Sequence, residues 1–222
     1  MIEAILPEAV AVAEAREDSA AAALFPSEAA LVQRAVEKRR REFATGRECA
    51  RRALAGLGVE AGPIDRGEKG EPLWPAGVVG AITHCDGYRA AAVARRGELA
   101  SLGIDAERHE PLPSELFDDI AVPAEREPLA ALAASEPSVC WDRILFSAKE
   151  SVYKAWFPLA RRWLGFEDAA LELDPQRRSF TARLLVPGPM LDGAELRQLS
   201  GRWLLGDGLV LTSVTVSAAE TP

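Results

Sequence analysis

The sequence predicts an α+β fold with largely antiparallel sheet. Three observations carry that expectation: a long segment of helical period from Trp141 to Leu159, a hairpin signal at Gly206-Asp207-Gly208, and helices and hairpins in each half where an alternating fold would show strand–helix–strand units. The chain has 222 residues, 48% hydrophobic and 27% charged, enough to bury a core in one large domain or two small ones. No sequence repeat links the two halves, although their element order is loosely similar.

The elements follow in order. Ser27 to about Ala44 has helical spacing, with Leu31, Ala35 and Val36 on one face and a charged run from Glu37 to Glu42. Thr45 stands three residues before Glu48, the spacing of a capping box, so a second helix is expected from Gly46 to about Leu57. Gly56 and Gly58 supply its stop. The glycine- and proline-rich segment Gly62 to Gly80 is mostly loop. Val78 to His84 and Tyr88 to Ala94 are short strands. The second is expected to pair with Leu99 to Ala106 across the Arg96-Gly97 turn. Pro111 to Pro137 is rich in alanine, proline and acids and predicts short helices. In the long helix, Ile144, Leu145, Ala148, Val152, Ala155 and Trp156 recur at helical spacing, and Pro158 helps to end it. The remaining segments read as two hairpins, Ala170–Leu173 with Phe180–Val186 and Trp203–Leu205 with Leu209–Val216.

Composition excludes some classes. A net charge of −8 argues against a nucleic-acid binder. One basic cluster stands out locally: Lys38-Arg39-Arg40-Arg41, then Arg47, Arg51 and Arg52, with Arg47 and Arg51 on one helical face. Such a run is ordinarily a solvated helix surface, and gains meaning only beside a polyanionic ligand. Cys49, Cys85 and Cys140 are far apart and form no CxxC pair, so no structural zinc is expected, and the odd number suits a reducing compartment. The first residues lack the pattern of a signal peptide, and no stretch approaches the roughly 20 apolar residues of a membrane span. A soluble, cytoplasmic protein is expected.

Chemistry concentrates in three segments. In Gly103-Ile104-Asp105-Ala106-Glu107, strand alternation projects Asp105 and Glu107 from one face and sends Ile104 and Ala106 to the core. Paired carboxylates repel unless a cation lies between them, and Mg²⁺ favours a few carboxylates with phosphates and waters. The plain alternative is a half-exposed strand end. In Phe146-Ser147-Ala148-Lys149-Glu150-Ser151-Val152-Tyr153-Lys154-Ala155, Glu150 and Lys154 share a helical face. They form either a surface ion pair of about 0.2–0.5 kcal/mol or a third acid beside a lysine that meets anionic oxygens, with Lys149 in the same role. The third segment runs from Gly67-Glu68-Lys69-Gly70-Glu71-Pro72-Leu73-Trp74-Pro75 to Thr83-His84-Cys85. Thr83 and His84, at a strand end, are either phosphate contacts or structural groups. His109 receives no role.

Taken together and in this order, Gly-Glu-Pro-Leu-Trp-Pro, Thr83-His84-Cys85, Gly103–Glu107 and Phe146–Ala155 resemble the phosphopantetheinyl transferases, in the monomeric type that serves siderophore, polyketide and lipid synthesis. Trp156 to Asp168 is similar to the actinobacterial branch, and the resemblance spans roughly residues 35 to 170. It implies two similar α/β halves, here 1–103 and 104–222, related by a pseudo-twofold with coenzyme A in the cleft between them. It further implies that Asp105, Glu107 and Glu150 bind Mg²⁺, with Mn²⁺ equally acceptable to oxygen ligands. Lys154 matches the lysine that reaches the coenzyme's phosphates, with Lys149 as its companion. Arg39, Arg47, Arg66 and His84 fall where relatives hold the 3′-phosphate and nearby groups, and Lys69 is a further candidate. Ala81 stands where many relatives have serine, and Arg66 where they often have lysine.

The implied reaction transfers 4′-phosphopantetheine from coenzyme A to a serine of an apo acyl or peptidyl carrier protein and releases adenosine 3′,5′-bisphosphate. Glu150 is the candidate base, directly or through water. Phe157, Leu159, Arg161 and Arg162 are candidate docking residues for an acidic carrier. A monomer that binds neither nucleic acid nor membrane is expected. The rivals are a Mg²⁺-dependent phosphoesterase using the same acids, and a module that binds coenzyme A without transfer.

Overall fold

Two layers are built, each from one antiparallel sheet and one twenty-residue helix. The computed structural model describes residues 1–218. A 3-10 turn at Ile2–Ile5 leads to β1 (Ala11–Ala15), then α1 (Pro26–Leu31), α2 (Glu37–Gly56), β2 (Val78–Cys85), β3 (Tyr88–Arg95) and β4 (Leu99–Arg108). Three helices follow: α3 (Ser114–Ile120), α4 (Pro123–Ser135) and α5 (Trp141–Ala160). Then come β5 (Ala169–Asp174), β6 (Ser179–Leu184), the short strands β7 (Met190–Leu191) and β8 (Ala194–Glu195), β9 (Gln198–Gly206) and β10 (Leu209–Ser217). The strand orders are β1-β3-β2 and β4-β10-β9-β6-β5, with β7-β8 apart.

The alanines of β3 are explained by burial on both faces. Ala91 and Val93 meet Cys49, Ala50 and Leu54 of α2, while Ala90, Ala92 and Ala94 join Leu102, Ile104 and Leu211 in a second core. Small side chains let the two layers close on one strand. A third core packs Ile144, Leu145, Val152 and Trp156 of α5 against Phe180, Trp203 and Val214 of the larger sheet. Gly103 fixes how closely α5 lies on β4: a Cβ there would sit 2.0 Å from the Ser151 carbonyl oxygen. The β9–β10 hairpin turns on Asp207 and Gly208, at φ 51° and 71°, both in the left-handed region that a two-residue hairpin turn uses.

The structure departs from the sequence expectations in three places. There is no break near Thr45. α2 runs through it, and the Thr45 hydroxyl, buried in mid-helix, accepts the Ser19 N–H at 3.0 Å. The capping-box spacing is overridden because Cys49, Ala50, Ala53 and Leu54 continue the buried stripe; the break comes earlier, at residues 32–36. Second, β4 forms no ladder with β3. It crosses to the other sheet and pairs with β10, Asp105 lying opposite Thr212. Third, a division between 103 and 104 would cut β4. The change of sheet falls in the turn that precedes Leu99.

Candidate active site

Strand alternation puts Ile104 and Ala106 into the core. Asp105 and Glu107, like Gly103, face α5. On that helix Arg143, Ser147, Glu150 and Lys154 recur at intervals of four, three and four, so they form one row above β4. The Asp105 carboxylate, 4% exposed, accepts from Lys154 Nζ at 2.6 Å on Oδ1 and from the Ser147 hydroxyl at 2.8 Å on Oδ2. A third donor comes from the other layer: the Thr83 hydroxyl of β2, 3.2 Å from Oδ1. Arg143 holds Glu107 by Nη1–Oε2 at 3.1 Å, while its other guanidinium nitrogens donate to the Glu110 and Pro111 carbonyls.

These acids line a cavity whose opposite wall is basic. Arg39 and Arg47 reach it from α2, Arg66 from the following loop and His84 from β2. Arg47 is 6% exposed, lies 4.3 Å over the Phe43 ring and donates from Nε to the Ile64 carbonyl at 2.8 Å. It makes no ion pair among the described residues. Burial, reinforced by the neighbouring cations of Arg51 and Arg66, pushes its pKa down to about 10. A buried guanidinium that faces a cavity without a carboxylate partner calls for an anion. Arg39 contacts His84 Nε2, and Glu42 stands 3.6 Å from Arg39 and 3.7 Å from His84 Nδ1. Burial and the cations of Arg39, Lys154 and Arg89 hold His84 down at about 4, so it is neutral at pH 7. A second cleft adjoins the first, sharing Glu150 and Lys154. Its walls include Trp74, Val79, Tyr153, Phe157 and Pro158, and its volume of about 370 Å³ is that of a small-molecule site.

Ten of the expected residues therefore meet along this pair of cavities. Arg39, Arg47, Arg66, Thr83, His84, Asp105, Glu107, Glu150 and Lys154 line the charged one, and Lys69 lines the neighbouring cleft. Two expectations need correction. Lys149 does not reach the cavity. It is 3% exposed on the far side of α5, where Nζ pairs with Glu125 at 3.0 Å and donates to the carbonyls of Ile120, Phe166 and Ala169. Five residues of helix turn it well away from Lys154. Thr83 lines the cavity, but its only hydroxyl proton goes to Asp105 and its oxygen accepts the Ala106 N–H at 3.0 Å, so it has no donor left for a phosphate. Of the docking candidates, Phe157 is buried, Leu159 is half-buried and Arg161 and Arg162 are exposed; the exposed aromatic beside them is Trp163. Three participants were missed. Arg143 and Ser147 share a helical face with Glu150 and were legible from that spacing; nothing in the sequence marks Glu42.

The acid wall suits a hard cation. Glu107 is pushed up to about 7 by burial and by Asp105, with Glu150 adding to the repulsion, and Glu150 is raised by burial and Asp105. Arg143 and Lys154 offset only part of that repulsion. Among the described residues no three such side chains already converge as a cluster. The fit rests on the all-oxygen donor set and its uncompensated charge, which a divalent ion would relieve.

A family model described as the 4′-phosphopantetheinyl transferase N-terminal domain matches residues 27–94, and one for the 4′-phosphopantetheinyl transferase superfamily matches residues 101–207. The two matches meet where the chain changes sheet. The chain is 53% identical to 4′-phosphopantetheinyl transferase Svp of Streptomyces mobaraensis over 98% of its own length and 90% of the relative's. It is 48% identical to 4′-phosphopantetheinyl transferase PptT of Mycobacterium tuberculosis, over 97% and 98%. Enterobactin synthase component D of Escherichia coli K12 is 40% identical over 57% of this chain and 59% of that one. With both layers matched and relatives aligned along nearly their whole length, the chain belongs to the 4′-phosphopantetheinyl transferase superfamily.

Proposed function

We propose that the cavity between the layers binds coenzyme A and Mg²⁺, and that the chain transfers the 4′-phosphopantetheine arm to a serine of an apo acyl or peptidyl carrier protein. The observation that carries this reading is the pairing of opposite walls: a buried Arg47, without an ion pair among the described residues, with Arg39, Arg66 and His84 facing Asp105, Glu107, Glu150 and Lys154 across one cavity. Coenzyme A needs both. Its 3′-phosphate suits the basic wall, its pyrophosphate suits Lys154 between acids, and its apolar arm suits the cleft of Trp74, Tyr153 and Phe157. Lys69, at that cleft's rim, is placed to meet a phosphate or the arm's amides.

Asp105, Glu107 and Glu150 would hold the divalent ion, Mg²⁺ or Mn²⁺, which when bound supplies charge neutralisation at the pyrophosphate. The serine Oγ attacks the phosphorus that carries the pantetheine arm, and the pyrophosphate P–O bond breaks. Adenosine 3′,5′-bisphosphate leaves with the bonding electrons. The serine proton goes to Glu150. Glu150 lines both the charged cavity and the apolar cleft, where the pyrophosphate and the arm would meet. Lys154 stabilises charge on the transferring group. No serine–histidine nucleophile is required, because the nucleophile belongs to the partner. Arg161, which lines the apolar cleft, and the exposed Arg162 and Trp163 that follow it suit an acidic carrier's docking surface. The likeness to enterobactin synthase component D favours carriers of siderophore assembly, beside those of polyketide and lipid synthesis. No helix among the described residues is long and apolar enough to cross a membrane. We place the protein in the cytoplasm, acting as a monomer without nucleic acid.

The test is incubation with coenzyme A, Mg²⁺ and apo carrier proteins, read by intact-mass spectrometry. The carrier should gain one phosphopantetheine, and Glu150→Gln or Asp105→Ala should abolish the gain. Hydrolysis of phosphoesters without carrier modification would favour the phosphoesterase reading instead.

A further inference from the structure

The carboxylate that receives most attention in this cavity is Asp105, and two of its three donors are buried hydroxyls. Proton accounting fixes their direction. The Ala106 N–H donates to Thr83 Oγ1, and an ionised carboxylate only accepts, so the single Thr83 proton goes to Oδ1. Thr212 Oγ1 of β10 donates to the Ser147 carbonyl at 2.8 Å and lies 3.0 Å from Ser147 Oγ. The Ser147 proton is thereby left for Asp105 Oδ2. Thr83, Ser147 and Thr212 are 2%, 0% and 0% exposed, so all three hydroxyls are shielded from bulk water. With Lys154 on Oδ1, three of the carboxylate's roughly four acceptor positions are filled.

The geometry points to Thr83 and Ser147 as positioning residues that set the orientation of Asp105 for its cation, Thr83 doing so from the opposite layer. This deepens the reading of Asp105 as a metal ligand and rests on it. Thr83 accordingly serves the cation, and the coenzyme's phosphates are left to the arginines, His84 and Lys154. Because Thr83 belongs to β2 and Asp105 to β4, the hydroxyl also registers one sheet against the other at the reacting centre. A group that holds a metal ligand typically costs ten- to a hundredfold in metal affinity when removed.

The experiment is Mn²⁺ binding to the full chain by isothermal titration, without substrate, for the wild type and for Thr83→Val, Thr83→Ser, Ser147→Ala and Asp105→Asn. Coenzyme A binding in chelator is measured alongside. Thr83→Val and Ser147→Ala should each weaken Mn²⁺ by at least tenfold, Thr83→Ser should restore it, and coenzyme A binding should be unchanged in all three. Thr83→Val also strands the Ala106 N–H, so melting curves accompany it, and Ser147→Ala carries the test if that variant does not fold. Loss of Mn²⁺ in Asp105→Asn with wild-type affinity in both hydroxyl variants would overturn the positioning role alone. Wild-type Mn²⁺ affinity in Asp105→Asn would overturn the ligand reading and this inference with it. Coenzyme A weakened as much as Mn²⁺ would mark a general structural role and also overturn it.

Discussion

Replacing Lys149 by methionine separates two accounts of this lysine. Methionine keeps the length and loses the charge. Lys149 and Glu125 have side chains only 2% and 1% exposed, and lie 3.0 Å apart. Without the ammonium, Glu125 keeps the N–H groups of Val122 and Leu171 but no counter-charge, and three carbonyls lose their donor. Removing one partner of a buried pair costs about 3–5 kcal/mol. For a chain of this size each kcal/mol lowers Tm by roughly 2–4 °C, so the loss should be on the order of 6–20 °C. Adding Glu125→Gln should recover part of it, since no lone carboxylate then remains buried. The assay is differential scanning calorimetry on the single and double variants, with coenzyme A binding measured below the transition. A Lys149→Met protein that melts with the wild type but binds coenzyme A weakly would refute the structural role and restore the lysine to the coenzyme site.

Other outcomes follow from the same geometry. The His84 pKa, about 4 in the free chain, should move up toward its ordinary value when a phosphate dianion offsets Arg39; ¹H–¹³C NMR titration of the ring with and without coenzyme A reads this directly. The same depression has a stability consequence. The folded pKa lies below the ordinary 6.5, so the unfolded chain takes up the proton first, and stability present above about 6.5 is lost as pH falls toward 4. His84→Gln should flatten that part of the denaturation profile. Gly103→Ala drives a methyl into the Ser151 carbonyl, which is backbone and cannot swing aside; it should cost roughly 1–3 kcal/mol or more and lower kcat by shifting α5, as melting and transfer assays would show. Trp163→Ala and Arg162→Glu, at exposed positions, should raise KM for the carrier while leaving KM for coenzyme A unchanged.

Much of this architecture is written in local pattern. The 3.6-residue spacing of Ile144, Leu145, Ala148, Val152 and Trp156 reveals α5 almost to the residue, and two-residue alternation puts Asp105 and Glu107 on one face with Ile104 and Ala106 behind them. The Asp207-Gly208 turn gives away the last hairpin. What failed was non-local. Nothing near Leu99 says that β4 passes by its sequence neighbour β3 to pair with β10, since that choice is made by which apolar faces remain to be covered. The helix expected to end before Thr45 is continuous because tertiary burial outweighs a cap signal worth about 1 kcal/mol. Lys149 and Lys154 share a motif but not a face, and only the buried Glu125, itself unremarkable in sequence, explains why the first points inward.

The pairing of β4 with β10 has a kinetic consequence. Asp105 and Glu107 lie in register with Thr212 and Val210, partners that are synthesised long after them. Loops of that span close late, because their entropy must be lost before any contact rewards it. β2, β3 and α2 can gather early from local contacts, whereas the strand bearing the acids stays an unpaired edge until β10 arrives. A nascent chain therefore carries the basic wall before it carries the acidic one. Transfer activity should emerge as the final folding event, at the same rate as the burial of Thr212 and Ser147.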